Sequence, residues 1–258
     1  MDISTRGVVD VSRAVRRSPV LWVTTQAVVV VLGVFVYFRT RGLNEGSSAV
    51  AEAHARDIVA LERTLGIHVE AELQAVVAPS ATLETFANWV YIWGHWPVIV
   101  TTMVWLVWRH RDVFLRLRDG MLVSGALGLV VFVTYPVAPP RLMDLGLVDT
   151  VTESSQAYRV LQPPAFTNQY AAMPSLHSGW DLLVGIAIVT AATTTALKVV
   201  GYTLPVLMGL AVVATANHYV LDVVAGVALA LLGHVAALYL ERRRHRRTGH
   251  RPGHGAPS

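Results

Sequence analysis

The sequence contains no cysteine, and only one of its 21 basic residues, Lys198, is a lysine. Without cysteine the chain can form no disulfide and offers neither thiolate chemistry nor a cysteine-ligated zinc site. Charged residues make up only 15% of the chain, whereas 53% of its residues are hydrophobic. This composition excludes an ordinary soluble enzyme and is typical of a bundle of membrane-spanning helices. The bias toward arginine, with abundant alanine and valine, indicates a GC-rich bacterial genome.

Long apolar runs dominate the rest of the chain. A membrane span needs about 20 mainly apolar residues, and six runs approach that length: 20–38, 86–108, 121–137, 176–196, 199–216 and 219–240. We therefore predict an all-α fold, an integral membrane bundle of six transmembrane helices. Residues 1–19 form a basic N-terminus, residues 20–240 the membrane domain, and residues 241–258 a basic tail without fixed structure.

The basic residues predict the orientation of this bundle. If both termini are cytoplasmic, the inner segments hold most of the 21 lysine and arginine residues, including the run Arg242, Arg243 and Arg244. That distribution follows the positive-inside rule for six spans in the plasma (inner) membrane. The sequence pI of about 9.7 therefore requires no nucleic-acid partner.

The outer segment 44–85, between the first two spans, predicts an amphipathic helix. Side chains recur there at spacings of three and four residues: Val50, His54, Ile58, Leu61 and Leu65. Gly66 follows as a helix stop. This helix either lies on the membrane surface near the site entrance or packs over the bundle and caps it.

Three short polar motifs stand at the ends of apolar runs: Pro139-Pro140-Arg141, Pro174-Ser175-Leu176-His177 and His218-x-x-x-Asp222. Charged groups beside hydrocarbon are costly, so each is a candidate functional residue. The third span runs outward to the first motif, the fourth begins at the second, and the fifth ends at the third. The topology therefore places all three motifs on the extracytoplasmic side, as one composite site.

These residue types suit phosphate chemistry. Asp222 lies four residues after His218, on the same helix face, where it can fix the tautomer of a nucleophilic imidazole. His177 can act as the general acid. Arg141 offers a planar fork that matches phosphate oxygens, and Ser175 opens a helix whose N–H groups favour an anion.

Four further residues are candidates for headgroup binding or support: His95, Tyr135, Asn217 and Asp181. A lone histidine among aromatic residues, as at position 95, is more often a hydrogen-bonded core residue than a catalyst. Asp181 repeats the His-x-x-x-Asp spacing after His177, so two His/Asp pairs could hold a divalent metal. Arg141 would repel such a cation, and we expect neither a metal nor another cofactor.

At these motifs the chain resembles the type 2 phosphatidic acid phosphatase superfamily, and within it the branch of inositol phosphorylceramide synthases and related bacterial membrane proteins. The resemblance covers about residues 44–240 and is most specific at YPVAPPRL, MPSLHSGW and ANHYVLD. It implies a six-helix bundle and metal-independent chemistry through a phosphohistidine. By resemblance His218 is the nucleophile, Asp222 its orienting acid, His177 the second histidine and Arg141 a phosphate-binding residue.

The chain departs from the phosphatase pattern at three positions. Thr134 stands where a lysine is usual, Val212 where an arginine is usual, and Leu176 replaces the glycine of the middle motif. Two phosphate-binding cations are therefore missing. This favours the synthase-like branch, whose substrate phosphate carries a headgroup.

The sequence thus predicts a membrane phosphotransferase that acts on a lipid phosphate or phosphodiester and passes the phospho-headgroup, as in inositol phospholipid transfer, to a lipid or polyol hydroxyl. A phosphatase of the phosphatidic acid or polyprenyl phosphate type is the alternative. A non-enzymatic lipid or ion transporter is a third, which the absence of internal repeats disfavours. The oligomeric state is not readable from the sequence.

Overall fold

The computed structural model describes residues 18–43, 47–151 and 168–249. Within these ranges the regular structure is helical, with a single isolated bridge between Val137 and Ala171. Nine helices follow in order: α1 Pro19–Leu43, α2 Ser48–Leu65, α3 Glu70–Val77, α4 Ala81–Trp93, α5 Trp96–Arg109, α6 Arg111–Thr134, α7 Leu176–Ala191, α8 Thr195–Ala214 and α9 Val220–Gly249. A 3₁₀ turn covers Pro140–Leu142. The predicted all-helical fold is confirmed.

Six complete spans are not found among the described residues. Four helices, α1, α6, α8 and α9, are long and apolar enough to cross a membrane, and the bent pair α4–α5 adds a fifth. Helix α7 has 16 residues, or about 24 Å, which is shorter than the hydrocarbon core of about 30 Å. The chain is a multi-pass membrane protein, but six complete spans are not confirmed.

The predicted second span, 86–108, is broken in the middle. Helix α4 ends at Trp93 and α5 begins at Trp96, with a bend of 45° between them. The cause is Pro97, which has no N–H and whose ring would clash with the carbonyl of Trp93 in a continuous helix. His95 lies at the break in a non-helical conformation, and the bend carries its side chain into the bundle.

Several other helix boundaries also differ from the prediction. Helix α7 ends at Ala191 and not at residue 196, because Thr194 caps α8 by accepting a hydrogen bond from the N–H of Leu197. Helix α6 begins ten residues earlier than predicted, at Arg111. Helix α9 continues to Gly249, nine residues into the segment for which we expected no fixed structure. Residues 250–258 lie outside the described ranges.

Ion pairs join the start of α6 to the last turns of α9. We call this end of the bundle the basic end. Arg116 makes two hydrogen bonds of 3.0 Å to the carboxylate of Glu241. Arg118 and Arg244 both contact Asp119. Basic side chains from the two helices therefore share acidic partners where the apolar sequence ends.

The outer segment forms α2, and α2 ends at Gly66 with a φ of 69°, as the sequence predicted. Its buried face differs from the predicted stripe: Val50, Leu61 and Leu65 are exposed. The buried residues are Ala51, Ala55, Ile58, Val59 and Glu62. Two alanines, two β-branched residues and one glutamate thus face the bundle, where α2 packs over residues 137–138 and the start of α9. We call this the motif end of the bundle.

Helices α7 and α9 approach each other backbone to backbone. A Cβ atom added at Gly226 would lie 2.1 Å from the carbonyl oxygen of Ser175, and one at Gly179 would lie 2.5 Å from the oxygen of Gly226. Contacts this short leave room only for glycine. They fix the start of α7 against the first turns of α9, so the second and third motifs become neighbours.

We predict that Gly226→Ala lowers the stability of the bundle, because its new methyl group would collide with main chain that cannot rotate away. The expected loss is about 1–3 kcal/mol, as for other overpacked sites. Gly209→Ala is the matched control, since its Cβ would meet only Val223 at 3.7 Å. Thermal unfolding of both variants in detergent tests this; equal melting temperatures would contradict the packing argument.

Candidate active site

The three motifs meet at the motif end through main-chain hydrogen bonds. The N–H of Arg141 donates to the carbonyl of Ala216 (3.0 Å), and the N–H of Ser175 donates to that of Asp222 (2.9 Å). Ala216 has a φ of 56°, and this left-handed turn ends α8 so that the next two N–H groups both reach the carbonyl of Val212. The backbone thereby sets His218 beside the other two motifs.

A small cavity opens at this junction. Its lining combines the motif residues with aromatic and amide side chains from α1, α4, α6 and the loop before α7: Tyr37, Tyr91, Phe132, Pro139, Arg141, Asn168, Gln169, Ala171, Ala172, Pro174, Leu176, His177, Asn217 and His218. Four of the sequence-predicted residues, Arg141, His177, Asn217 and His218, therefore share one cavity.

The ring of His218 is held chiefly by a main-chain carbonyl. Its Nδ1 lies 2.7 Å from the oxygen of Ala172 and 3.5 Å from Oδ2 of Asp222. Because a carbonyl oxygen only accepts, Nδ1 carries the proton of the neutral ring, and Nε2 keeps its lone pair.

Asp222 lies closer to a main-chain N–H group than to His218, the partner that the sequence predicted. Its Oδ2 accepts a hydrogen bond of 2.9 Å from the N–H of Tyr219, which caps the start of α9. The carboxylate is completely buried. Ala172, and not Asp222 alone, fixes the tautomer of His218, while Asp222 supplies a nearby negative charge.

His177 lies among three other rings. Its ring centroid is 5.9 Å from that of His218, 4.3 Å from that of His95 and 4.7 Å from that of Tyr91, on which it stacks. The two histidines of the predicted site therefore face the same small space.

Asp181 pairs with His95 and not with the histidine four residues before it. Its Oδ1 lies 2.8 Å from Nδ1 of His95, and both side chains are buried. The break between α4 and α5 thus adds a second histidine–aspartate pair, whose imidazole packs against His177. The sequence placed His95 and Asp181 in a supporting group but could not show that they pair.

Arg141 is positioned from two sides. Its Nη1 donates to Oδ1 of Asn217 at 2.8 Å, and its Nε lies 3.1 Å from the carboxylate of Asp149. The guanidinium also lines the cavity. Asn217 is itself held by Thr215, so the amide orients the arginine for a bound anion.

Two predicted residues lie elsewhere. The hydroxyl of Ser175 caps α7 by accepting a hydrogen bond from the N–H of Ser178, and the residue is completely buried. Tyr135 stacks on His54 at 3.9 Å, outside the residues that line the cavity, and burial raises the pKa of its phenol. Neither residue is among those that line the cavity.

Sequence reasoning missed the groups that hold the start of α9. Oε1 of Glu62 accepts a hydrogen bond of 2.8 Å from the N–H of Leu221, and Oε1 of Glu70 accepts one of 3.0 Å from the N–H of Val220. Burial raises the pKa of Glu62 to about 8. A glutamate inside the expected apolar stripe of α2 was the available signal.

The sequence left open a divalent metal held by two pairs, His177 with Asp181 and His218 with Asp222. Asp181 pairs with His95 instead, so the first of these two pairs does not form. Among residues 18–43, 47–151 and 168–249, one group of three potential ligands lies close enough for an ion, namely Glu62, His68 and Glu70. That group lies beside the cavity and not in it.

Comparison with known families agrees with this arrangement. A family model described as the PAP2 superfamily matches residues 56–236, more than two thirds of the chain. The protein belongs to the PAP2 superfamily. Its members are generally phosphatases and phosphotransferases that act on phosphate esters. No curated protein and no solved structure matches the chain.

We predict that Asp222→Ala destabilises this PAP2 superfamily protein by about 1–2 kcal/mol, because the buried N–H of Tyr219 loses its acceptor. Asp222→Asn keeps an acceptor oxygen and should unfold close to the wild type. Thermal unfolding in detergent compares the two. If both variants were equally stable, Asp222 would not act as the cap.

Proposed function

We propose that this protein is a membrane lipid phosphotransferase in which His218 attacks the phosphorus of a lipid phosphate or phosphodiester and carries the phosphoryl group as a phosphohistidine. The observation that carries the proposal is the contact of 2.7 Å between Nδ1 of His218 and the carbonyl of Ala172. It leaves Nε2 as the nucleophilic nitrogen in the cavity that Arg141 and His177 also line.

The first step forms a bond between Nε2 of His218 and phosphorus and breaks the bond between phosphorus and the leaving oxygen. Protonated His177 gives its proton to that oxygen. The positive charge that develops on the ring of His218 is stabilised by Asp222, 3.5 Å from Nδ1. Arg141 and nearby main-chain N–H groups hold the phosphoryl oxygens.

The second step reverses the roles. His177, now neutral, takes the proton of an incoming hydroxyl, whose oxygen attacks phosphorus as the bond to Nε2 of His218 breaks. A lipid or polyol hydroxyl gives a transferase, and water gives a phosphatase. No metal takes part in either step.

The charge of the site favours a phosphodiester over a phosphate monoester. Among the described residues that line the cavity, Arg141 is the one arginine or lysine. Thr134 bonds to the carbonyl of Val130, and Val212 is buried, so neither position brings a second cation. One guanidinium matches the single charge of a diester better than the double charge of a monoester. The lipid monoester phosphatase is the second candidate.

The motif end is proposed to lie on the extracytoplasmic side. The basic end carries Arg116, Arg118 and Arg244, as expected for the cytoplasmic face under the positive-inside rule. Donor and acceptor would then both reside in the outer leaflet of the plasma membrane.

We predict that purified protein, incubated with radiolabelled lipid phosphates and phosphodiesters, forms a base-stable, acid-labile phosphoryl adduct, and that His218→Ala forms none. His177→Asn should slow the transfer by about 10²–10⁴-fold, because it removes the proton donor. Mass spectrometry of the lipids, with hydroxyl-bearing acceptors present, identifies the product.

A new phosphodiester lipid that disappears with His218→Ala would establish the transferase. Release of free phosphate alone would establish the phosphatase instead. Full turnover of every lipid phosphate by a folded His218→Ala variant would refute both. Labelled lipid that crosses proteoliposomes without any change in mass would identify a transporter.

We predict a second effect at the His95–Asp181 pair, which positions His177 and does not touch phosphorus. Asp181→Ala leaves His95 without its acceptor, so kcat should fall roughly 10- to 100-fold while KM stays near the wild-type value. Asp181→Asn, which keeps an acceptor oxygen, should recover part of kcat. Tyr91→Phe is the control, because its ring still stacks on His177. Equal losses in kcat for Asp181→Ala and Tyr91→Phe would contradict the positioning role.

A further inference from the structure

Beside the active-site cavity lies a compact cluster of three side chains, Glu62, His68 and Glu70, which none of the catalytic steps uses. The cluster joins the end of α2 to the start of α3. Both glutamates are completely buried, and the side chain of His68 is 20% exposed. The cluster is therefore closed toward the bundle and open on one side only.

The ligand-type atoms of the cluster converge. Nδ1 of His68 lies 3.3 Å from Oε2 of Glu62 and 2.8 Å from Oε2 of Glu70, and all three atoms lie within 4.8 Å of one another. Tetrahedral zinc with bonds of about 2.0–2.2 Å places its ligand atoms roughly 3.3–3.5 Å apart. A small rotation of the partly exposed His68 ring would lengthen the distance between its Nδ1 and Oε2 of Glu70 from 2.8 Å to that spacing.

One atom of the cluster lacks a hydrogen bond. Oε2 of Glu70 is buried and receives none, although Nδ1 of His68 is close, because the ring N–H does not point along that line. A buried carboxylate oxygen without a donor is costly. A cation placed between the three atoms would satisfy it.

The second oxygen of each glutamate, Oε1, is held by a main-chain N–H group, as is common for carboxylates that bind a metal. Oε1 of Glu62 and Oε1 of Glu70 accept main-chain hydrogen bonds from Leu221 and Val220, which leaves both Oε2 atoms directed at His68. Metal-binding carboxylates are commonly oriented by such outer hydrogen bonds. The first turn of α9 therefore serves as the outer shell of the cluster.

The local charge also favours a cation. With Asp222, whose Oδ1 is buried and has no hydrogen-bond partner, three carboxylates surround one helix start. The end of a helix contributes only about half a positive charge. A cation bound between the two glutamates would offset the negative charge that they carry as ligands.

We propose that Glu62, His68 and Glu70 bind one divalent metal ion of the zinc type, with a fourth ligand position on the exposed side of His68. One imidazole and two carboxylates suit zinc better than magnesium or calcium, which prefer more oxygen ligands. The ion is structural: it fastens α2 and α3 to the first turn of α9, which follows His218. This proposal does not depend on the proposed function.

The test measures metal content and not activity. The full-length protein, purified in detergent with a histidine-free tag, is treated with a chelator and dialysed against zinc, magnesium or calcium. Elemental mass spectrometry then counts the bound ions, and thermal unfolding is followed with and without zinc. His68→Gln and Glu62→Gln are the test variants, and the amide of Glu62→Gln keeps an acceptor for the N–H of Leu221. His110→Gln, at the basic end, is the matched control.

The expected result is about one more zinc ion per chain for the wild type and His110→Gln than for either cluster variant. Zinc should raise the melting temperature of the first two proteins and leave that of the cluster variants unchanged. Equal zinc content in wild type and His68→Gln, with no thermal shift, would overturn the proposal. Binding of calcium or magnesium in place of zinc would also overturn it.

Discussion

The site depends on the hydrogen-bond acceptors of the N–H groups in the first turn of α9. A helix start leaves several N–H groups without partners, and a buried N–H group without an acceptor is costly. Here the N–H groups of Tyr219, Val220 and Leu221 each donate to a different carboxylate. Two of these carboxylates come from α2 and α3, more than 140 residues earlier in the chain. These two helices are therefore part of the architecture of the candidate site, because they hold the helix start next to His218.

Two departures from regular helix build the rest of the site. Pro97 breaks the second apolar run and moves His95 into the bundle, where Asp181 holds it. The left-handed residue Ala216 ends α8 and turns the chain toward the cavity. At each break the residue that leaves the helix, His95 or Ala216, is itself buried in the bundle, which is where a membrane protein can tolerate irregular backbone. His95 and His218 thus lie at irregular positions between helices, whereas His177 lies in the first turn of α7.

The sequence predicts the helical class and the grouping of the motifs well, because apolar run length and the alternation of spans are local properties. The proline at position 97 was a local signal for the helix break, but counting apolar residues over 86–108 gives one continuous span and overlooks it. The contacts of Ala172 and Glu70 had no local signal. Ala172 acts through its main-chain carbonyl, which every residue has, and the hydrogen bond from Val220 to Glu70 joins residues 150 positions apart. The buried face of α2 was misjudged because small alanines, and not large apolar residues, allow the close approach.

The charges of the cavity bear on the choice between water and a hydroxyl as the second acceptor. In the proposed mechanism, a phosphohistidine with one guanidinium beside it would be less strongly neutralised than in a site with several cations, so its hydrolysis would gain less electrostatic help. The stacked rings of Tyr91 and His177 and the buried pair His95–Asp181 close the inner side of the cavity. Arg141 and Asn217 line the same cavity. In the proposed transferase, an acceptor hydroxyl bound beside the cavity would attack as an oriented, effectively intramolecular group. This is the physical reason to propose transfer over hydrolysis.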